Sequence, residues 1–406
     1  MPQNLHYDAS NQAPNRPISP SDSVVHLDIP PETLLNQLMH YYATELAPIN
    51  VWVDSRNNEY TRLVVPLAKS QPALRFAILG IAAAHQNCQL DLTSEFSQSA
   101  CRTAILLITD RMRTLTNMEL DRVHAFVGNE DKTPEAVLAA TLVLCNHSLL
   151  EFNLPLALFH LRAARALVKT IVSERQSSNE LFVFLRNQVA SLDVLACTTL
   201  FTPDLVEGAV LPELKYGPII FGDYLHIIHD VTLRSLHSDN GGHCNDDFFS
   251  ELEDRFELAR ASTLIAVGRL MDLPSTSYQH DVVLLVEAFH HAGLVYASKR
   301  LQGAEMQQLE RHHCSKLFRL FRRFDNIGAC LANLSWPIFV AGISSCSDAE
   351  RTCTVRDMLC RLTSSSPFRY YANIPAFFKE LWASPDQDWI ALAREWEGRG
   401  TPVLAM

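Results

Sequence analysis

The stretch LSWPIFVAGISSC, residues 334–346, predicts a helix that is apolar on all of its sides. Ser335 is suited to the N-cap, and Pro337 to the first turn, where a missing N–H group costs nothing. The apolar positions that follow cover both sides, which is typical of a helix surrounded by other helices. Gly342 would cost up to about 1 kcal/mol relative to alanine, so we expect it to allow a neighbouring backbone to approach closely.

A second helix is predicted directly after this stretch. Ser347 and Glu350 fit a Ser-x-x-Glu capping box, and an apolar stripe follows them. The two helices together predict a buried helix hairpin. Cys346, Cys353 and Cys360 follow one another at seven-residue steps. We expect these cysteines to be small core residues on one buried side.

Helical spacing recurs along most of the chain, whereas alternating β-branched runs are hard to find and only 14 residues are glycine. We therefore predict an all-α fold, an irregular domain of ten or more helices over residues 31–406. Residues 1–30 are rich in Pro, Ser and Asn and predict a disordered arm. Stripes at this spacing include Leu35, Leu38, Met39, Tyr42 and Leu46; Leu74, Ala77, Ile78 and Ile81; and Val137, Ala140, Thr141, Leu144 and Ser148.

Charge and apolar run length restrict the classes of function. The net charge of -11 repels a polyanion unless basic residues are concentrated on one face, so we predict no direct DNA binding by this chain. The longest apolar runs fall short of the roughly 20 residues that cross a bilayer, so no membrane association is expected. Ten scattered cysteines in a chain of this length are typical of reduced thiols inside the cell.

The common phosphate-loop, dinucleotide, zinc-protease and nucleophile-elbow motifs are absent from the sequence. We accordingly predict no enzyme activity, and no catalytic, cofactor-binding or metal-binding residues.

Three weaker groups of residues remain as alternatives. The first group contains side chains that could bind zinc, namely His226, His229, His237, His243, Cys244 and Asp246. Histidines in loops or with a structural role explain this group more simply. The second group is Asp246, Asp247 and Glu251, which nearly match the magnesium-binding motifs of all-α terpene cyclases. An acidic start of a helix explains these acids more simply. The third group is Lys316, Arg319, Arg322 and Arg323, four cations on one side of a predicted helix. They could bind phosphate or an acidic partner, but a solvent-exposed helix face explains them more simply.

A second informative segment lies at residues 40–85. It combines a Tyr-Tyr helix, an Asp followed by Asn and Tyr positions, a Pro-Leu-Ala step, a helix that begins with proline and a histidine at the helix end. The positions concerned are Asp54, Asn57, Asn58, Tyr60, Pro66, Leu67, Ala68, Pro72 and His85.

Together the two segments resemble the fungal-specific transcription factor domain, the helical regulatory region of fungal zinc-cluster transcription factors. The first is similar to the opening of its second major subtype, and the second to its Trp-Pro-x-Phe-x-Ala-Gly signature, over roughly residues 33–400. The matching positions of the signature are Trp336, Pro337, Phe339, Ala341 and Gly342, with Arg351 after them.

The resemblance implies a nuclear protein that regulates transcription, often of metabolic or secondary-metabolite genes. In this family the helical domain serves dimerisation, effector response or activator contacts. The first cysteine here is Cys88, inside the helical region, so the six-cysteine DNA-binding cluster has no counterpart. We expect the chain to act through a DNA-bound transcription factor or a homodimer, with a small effector as a further ligand. The alternatives are an all-α enzyme that uses residues 226–251 and a cytoplasmic adaptor.

The predicted burial of Trp336 can be tested by substitution. We expect Trp336→Ala to lower the free energy of unfolding by roughly 3 to 5 kcal/mol, because it empties an aromatic core position. Urea or thermal denaturation measures the loss, and an unchanged melting temperature would place this side chain outside the core.

Overall fold

The computed structural model describes residues 31–86, 92–120, 134–174, 179–214, 219–238, 246–270, 273, 275–301, 304–346, 348–366 and 368–406. Within these ranges every regular element is helical and no strand occurs, so the predicted all-α class with ten or more helices is confirmed. The predicted disordered arm, residues 1–30, lies outside the described residues. No helix in the described ranges is long and apolar enough to span a bilayer.

The chain forms α-helices joined by short 3-10 and π-helical turns. In order, the α-helices are α1 (Glu32–Tyr41), α2 (Val65–Leu67), α3 (Pro72–Gln86), α4 (Leu92–Leu120), α5 (Pro134–Leu150), α6 (Leu154–Glu174), α7 (Glu180–Cys197), α8 (Pro203–Glu207), α9 (Gly222–Ser238), α10 (Asp246–Gly268), α11 (Thr276–Leu301), α12 (Ala304–Phe321), α13 (Ile327–Cys330), α14 (Ser335–Ile343), α15 (Ala349–Ser365), α16 (Asn373–Ala383) and α17 (Trp389–Gly398).

Two long helices are buried on more than one side. In the N-terminal half, α5 packs against α3, α6 and α7, and its residues 135–146 are all buried. The sequence predicted one apolar stripe for α5, but helices on several sides cover its other faces as well. In the C-terminal half, α11 packs against α9, α10, α12 and α14 and is buried without interruption over residues 288–298. The core therefore forms around α5 and α11.

The predicted fully buried helix is confirmed, since all nine residues of α14 are buried between α11, α12, α15 and α16. Its start differs from the prediction. Ser335 is the first helical residue and not the N-cap, because a 3-10 turn over Ala332–Leu334 leads directly into the helix. Its hydroxyl instead donates to the main-chain oxygen of Met406 at 2.5 Å, which ties the chain end to the core.

Two further details of the predicted hairpin are corrected. A Cβ atom at Gly342 would lie 2.1 Å from Cζ of Phe378, so this glycine admits an aromatic ring and not a neighbouring backbone. The N-cap of α15 is Asp348, whose carboxylate accepts from the N–H groups of Glu350 and Arg351. The predicted cap, Ser347, lies outside the described residues.

The prediction for the three evenly spaced cysteines is wrong for two of them. Cys346 is half-buried, but Cys353 and Cys360 are exposed. The buried stripe of α15 runs through Val355, Met358, Leu359 and Leu362. A seven-residue step keeps two side chains on one face of a helix, but it does not say which face is covered.

Gly342→Ala tests the close packing of α14 on α16. We expect this change to destabilise the protein by about 1–3 kcal/mol, because the ring of Phe378 is held between Phe339 and Trp382 and has no room to move. The matched control is Gly268→Ala at the end of α10, where an added Cβ meets nothing within 4 Å. Thermal denaturation should separate the two variants, and equal melting temperatures would contradict the packing argument.

Candidate functional site

Three of the histidines proposed as zinc ligands lie on α9 and contact different groups. His226 Nε2 lies 3.2 Å from the carbonyl oxygen of Pro212. His229 is buried, and its Nδ1 has no hydrogen-bond partner in the described part of the chain. The exposed His237 places Nε2 3.4 Å from Oε1 of Glu207. Among described residues, these histidines do not form a group of three converging ligand atoms.

The remaining members of the 226–251 region are only partly described. His243 and Cys244 lie outside the described residues. Asp246 and Asp247 form the start of α10, as the acidic helix-start interpretation predicts, but their side chains are also outside the described set. Glu251 is exposed on the same helix.

The four cations predicted on one side of a helix lie at and beyond the end of α12. Lys316 is half-buried and Arg319 is exposed on the helix, opposite its buried apolar side. Arg322 and Arg323 are exposed in the turn that follows, because the helix ends at Phe321. Arg322 Nη2 donates to Oε1 of Glu350 at 2.6 Å. Because an acid already partners one of the four cations, this side of the helix fits the solvated-face interpretation better than a phosphate site.

The two segments that carry the family resemblance meet at Phe289, at the middle of α11. The ring of Phe289 lies 5.4 Å from that of Trp52 in an edge-on contact, and 5.4 Å from that of Trp336 in a stacked one. The amide of Asn333 donates to the carbonyl oxygens of Val51, at 3.3 Å, and Trp52, at 2.9 Å. Segments about 280 residues apart in sequence therefore form one junction, which we call the Phe289 junction.

The Asp-Asn-Tyr positions of the first segment form the turn that presents Trp52. The amide nitrogen of Asn58 donates to Oδ1 of Asp54 at 2.8 Å and to the carbonyl oxygen of Ala47 at 3.1 Å. Its amide oxygen accepts from the backbone N–H of Tyr60 at 3.0 Å. The side chain of Asn58 thus closes the loop on both sides, which fixes residues 51–53 over α7 and α11.

A cavity of about 530 Å³ opens beside the Phe289 junction, between the loop of Trp52, α7, the start of α9 and the end of α10. This volume lies in the range of pockets that hold small organic ligands. We call it the Trp52 cleft. Its apolar walls include Val51, Trp52, Val53, Val183, Phe184, Ile219, Ile220, Leu225, Ala266 and Leu270, and its polar members include Ser55, Glu59, Glu180, Asn187, Gln188, Ser191 and Arg269.

Polar groups at the cleft are few and distinct. Trp52 Nε1 donates to Oγ of Ser191 at 3.1 Å, which holds the indole against α7. Glu59 is half-buried, and burial raises the pKa of its carboxyl. The exposed Glu180 forms an ion pair with Arg62 and carries its charge at the outer side. A ligand in the cleft would therefore meet mostly apolar surface with hydrogen-bonding groups toward one side.

A smaller cavity of about 100 Å³ lies behind the same loop and shares Trp52 and Ser191 with the cleft. It borders Asn50 and Asn146, whose side-chain amides meet at 3.3 Å. Nδ2 of Asn50 has no hydrogen-bond partner among the described residues, although it is buried. Both asparagines and Trp52 therefore line the inner cavity.

Sequence reasoning did not find the cleft, although it found the loop that forms one wall. Glu59, Glu180 and Arg269 are far apart in sequence and share no spacing or motif. Only the arrangement of the loop, α7 and the end of α10 around one cavity brings them to one place. Asp54, Asn58 and Tyr60 were the available signal, and they indicated the turn and not the pocket beside it.

Comparison with known proteins places the chain in a family. A family model described as fungal specific transcription factor domain matches residues 37–399. No curated protein and no solved structure matches the sequence. The matched range covers almost all of the described chain and includes both segments that meet at Phe289. The chain therefore belongs to the fungal specific transcription factor domain family.

Proposed function

We propose that the chain regulates transcription in the nucleus through protein contacts made by its helical domain. The observation that carries this proposal is the family match over residues 37–399. The contacts would be with a DNA-bound transcription factor or with a second copy of the chain. The target genes that fit the family are metabolic or secondary-metabolite genes. We propose no catalytic role.

The charge distribution supports contact with a protein partner in preference to direct contact with DNA. The chain carries a net charge of -11, and several of its described arginines are held by carboxylates. Arg260, for example, donates to both Glu257 and Glu287, and Arg255 binds Asp230. Guanidinium groups that are already paired contribute little to binding phosphates, because the phosphate must replace an existing partner.

One helix offers a surface that supports a contact role. On α10, Leu258 is 70% exposed and Ile265 is 54% exposed, and a seven-residue step places them on the same face. Exposed apolar side chains that share a helix face are a feature of protein–protein contact surfaces. This face lies on the helix whose C-terminal end borders the Trp52 cleft.

The Trp52 cleft supports the further proposal of a small effector. Its walls favour an apolar molecule, and the Glu59 carboxyl and Ser191 hydroxyl fit a ligand that carries a hydroxyl or amide group. Such a ligand would contact Trp52, which also packs against Phe289. An occupant of the cleft would therefore be connected to α11 through the ring of Trp52, which contacts Phe289 directly and also through Phe221.

The regulatory role is tested by chromatin association in the native organism. We expect an epitope-labelled chain to be nuclear and to crosslink to a limited set of promoters, and deletion of its gene to change transcription from those promoters. The purified chain should show no sequence-specific binding to the same promoter DNA, because its net charge is -11 and several of its described arginines are already paired. Chromatin immunoprecipitation with sequencing and a gel-shift assay measure the two halves of this prediction.

The oligomeric state and the cellular location of the protein distinguish a homodimer, a different DNA-bound partner and a cytoplasmic adaptor. Sedimentation that gives a mass well above 45.6 kDa identifies the homodimer, whereas a monomer that reaches chromatin does so with a different partner. Exclusion from the nucleus under all growth conditions would overturn the proposal and favour a cytoplasmic adaptor.

Filling the Trp52 cleft tests the effector proposal. We expect Val183→Trp to retain the fold and nuclear entry but to lose regulated transcription, because an indole at this half-buried position occupies ligand space. The matched control is Val172→Trp on α6, where the side chain is 48% exposed and away from the cleft. RNA sequencing under inducing and non-inducing conditions gives the readout. Full regulation in the Val183 variant would exclude the cleft as the effector site.

A further inference from the structure

Three buried histidines converge between α10, α11 and α12, away from the Trp52 cleft. His290 and His291 lie next to each other on α11, and His313 lies on α12. Their exposed fractions are 7%, 8% and 4%. Each imidazole brings one nitrogen to within 4.8 Å of the nitrogens of the other two. Three imidazoles that converge in a protein interior are a ligand set that suits a transition metal ion.

Hydrogen bonds from outside the group orient two of the rings. His290 Nδ1 lies 3.3 Å from the carbonyl oxygen of Phe256 on α10, which leaves Nε2 of this ring available as a ligand. His313 Nε2 lies 3.4 Å from Oε1 of Glu253, which leaves Nδ1 to face the group. Metal-ligating histidines commonly donate their second N–H to a backbone carbonyl or a carboxylate, which fixes the ring and makes it a better ligand.

The third ring completes the convergence. His291 Nδ1 and His313 Nδ1 are 2.9 Å apart, a hydrogen-bond distance in which one nitrogen donates its proton to the other. A metal ion that bound both nitrogens would replace this hydrogen bond, and the proton would move to the second nitrogen of its own ring, because a metal-bound neutral imidazole keeps one N–H group. Since ligand nitrogens around tetrahedral zinc at about 2.0–2.1 Å lie roughly 3.3 Å apart, the pair must open only slightly.

Charged side chains from all three helices surround the cluster. The charged groups around the cluster are the carboxylates Glu253, Glu257 and Glu287 and the cations Arg260 and Lys316, so acids outnumber bases.

We propose that His290, His291 and His313 form a zinc site that joins α10, α11 and α12, with Glu253 as the hydrogen-bonding partner of His313. Three imidazoles occupy three positions of a tetrahedral site, and water fills the fourth. The site is independent of the Trp52 cleft and of the proposed role in transcription. Zinc bound here links α11 and α12 directly. It holds α10, which carries the exposed Leu258, through the hydrogen bonds of His290 to Phe256 and of His313 to Glu253.

A second group of potential ligands provides a contrast. His280, Asp281 and Asp325 also lie close together, but His280 and Asp325 are exposed. The two carboxylate oxygens of the buried Asp281 accept from the backbone N–H groups of Asp325, at 2.9 Å, and Asn326, at 2.7 Å. Asp281 thus caps the turn after α12, which accounts for its burial without a metal.

Metal analysis of tag-free protein tests the proposal. We expect one zinc per chain after equilibration with Zn²⁺ and dialysis, measured by mass spectrometry of the element, and a melting temperature that rises with Zn²⁺ concentration. Zinc-edge X-ray absorption of the wild type should show three imidazole nitrogens in the first shell. This measurement does not depend on any variant folding.

Variants distinguish the cluster from other zinc ligands on the chain. His291→Ala should lose the bound zinc, whereas His312→Ala and His280→Ala, both at exposed positions, should retain it. Glu253→Gln alters a side chain that is 58% exposed and should fold normally, yet weaken zinc binding by about tenfold.

The proposal is overturned if the wild type retains no stoichiometric zinc. It is equally overturned if the absorption spectrum shows sulfur ligands, which would place the zinc on cysteines and not on the three histidines. The proposal is also overturned if the His291 and Glu253 variants both bind zinc with the affinity of the wild type.

Discussion

The contact of Phe289 with two tryptophans joins the loop of Trp52 to helix α14. Its ring, fully buried in α11, touches Trp52 from the N-terminal loop and Trp336 from α14, each with centroids 5.4 Å away. Each aromatic pair contributes about 0.5–1.5 kcal/mol beyond the area that it buries. Hydrogen bonds from Asn333 to the carbonyls of Val51 and Trp52 fix the same loop, so polar and apolar contacts agree on one arrangement. The junction thus adds to the support that Ser191 and Asn58 give to the loop at the wall of the Trp52 cleft.

The junction also explains how an occupant of the cleft could reach the rest of the domain. Trp52 forms part of the cleft, donates to Ser191 on α7 and packs on Phe289, so it contacts three parts of the structure at once. Trp336, on the other side of Phe289, donates its indole N–H to Thr198 at the end of α7. The cleft, α7, α11 and α14 are thus in direct contact, which is the kind of packed connection that a ligand response requires.

The three clustered histidines form a group of potential metal ligands that no sequence motif predicts. Two pairs of adjacent histidines, at 290–291 and 312–313, are visible in the sequence, but adjacent residues on a helix point in different directions. Packing of α11 on α12 selects three of the four rings and leaves His312 exposed. Spacing rules for zinc depend on ligands that are close in sequence, so they do not detect ligands contributed by neighbouring helices.

The sequence by itself determined the all-α class, the complete burial of α14 and the family, because these depend on local helical spacing and on residue types in short motifs. It also placed buried residues correctly where one stripe faces a core, as for Leu38, Tyr42 and Leu46. It was wrong about the N-cap role of Ser335, the neighbour of Gly342 and the burial of Cys353 and Cys360. The first error is local, because a 3-10 turn leads into α14, whereas the others concern which distant part of the chain lies opposite a given residue. Only the tertiary structure decided that, together with the Trp52 cleft and the histidine cluster, because both are formed by residues from helices that periodicity cannot assign to one another.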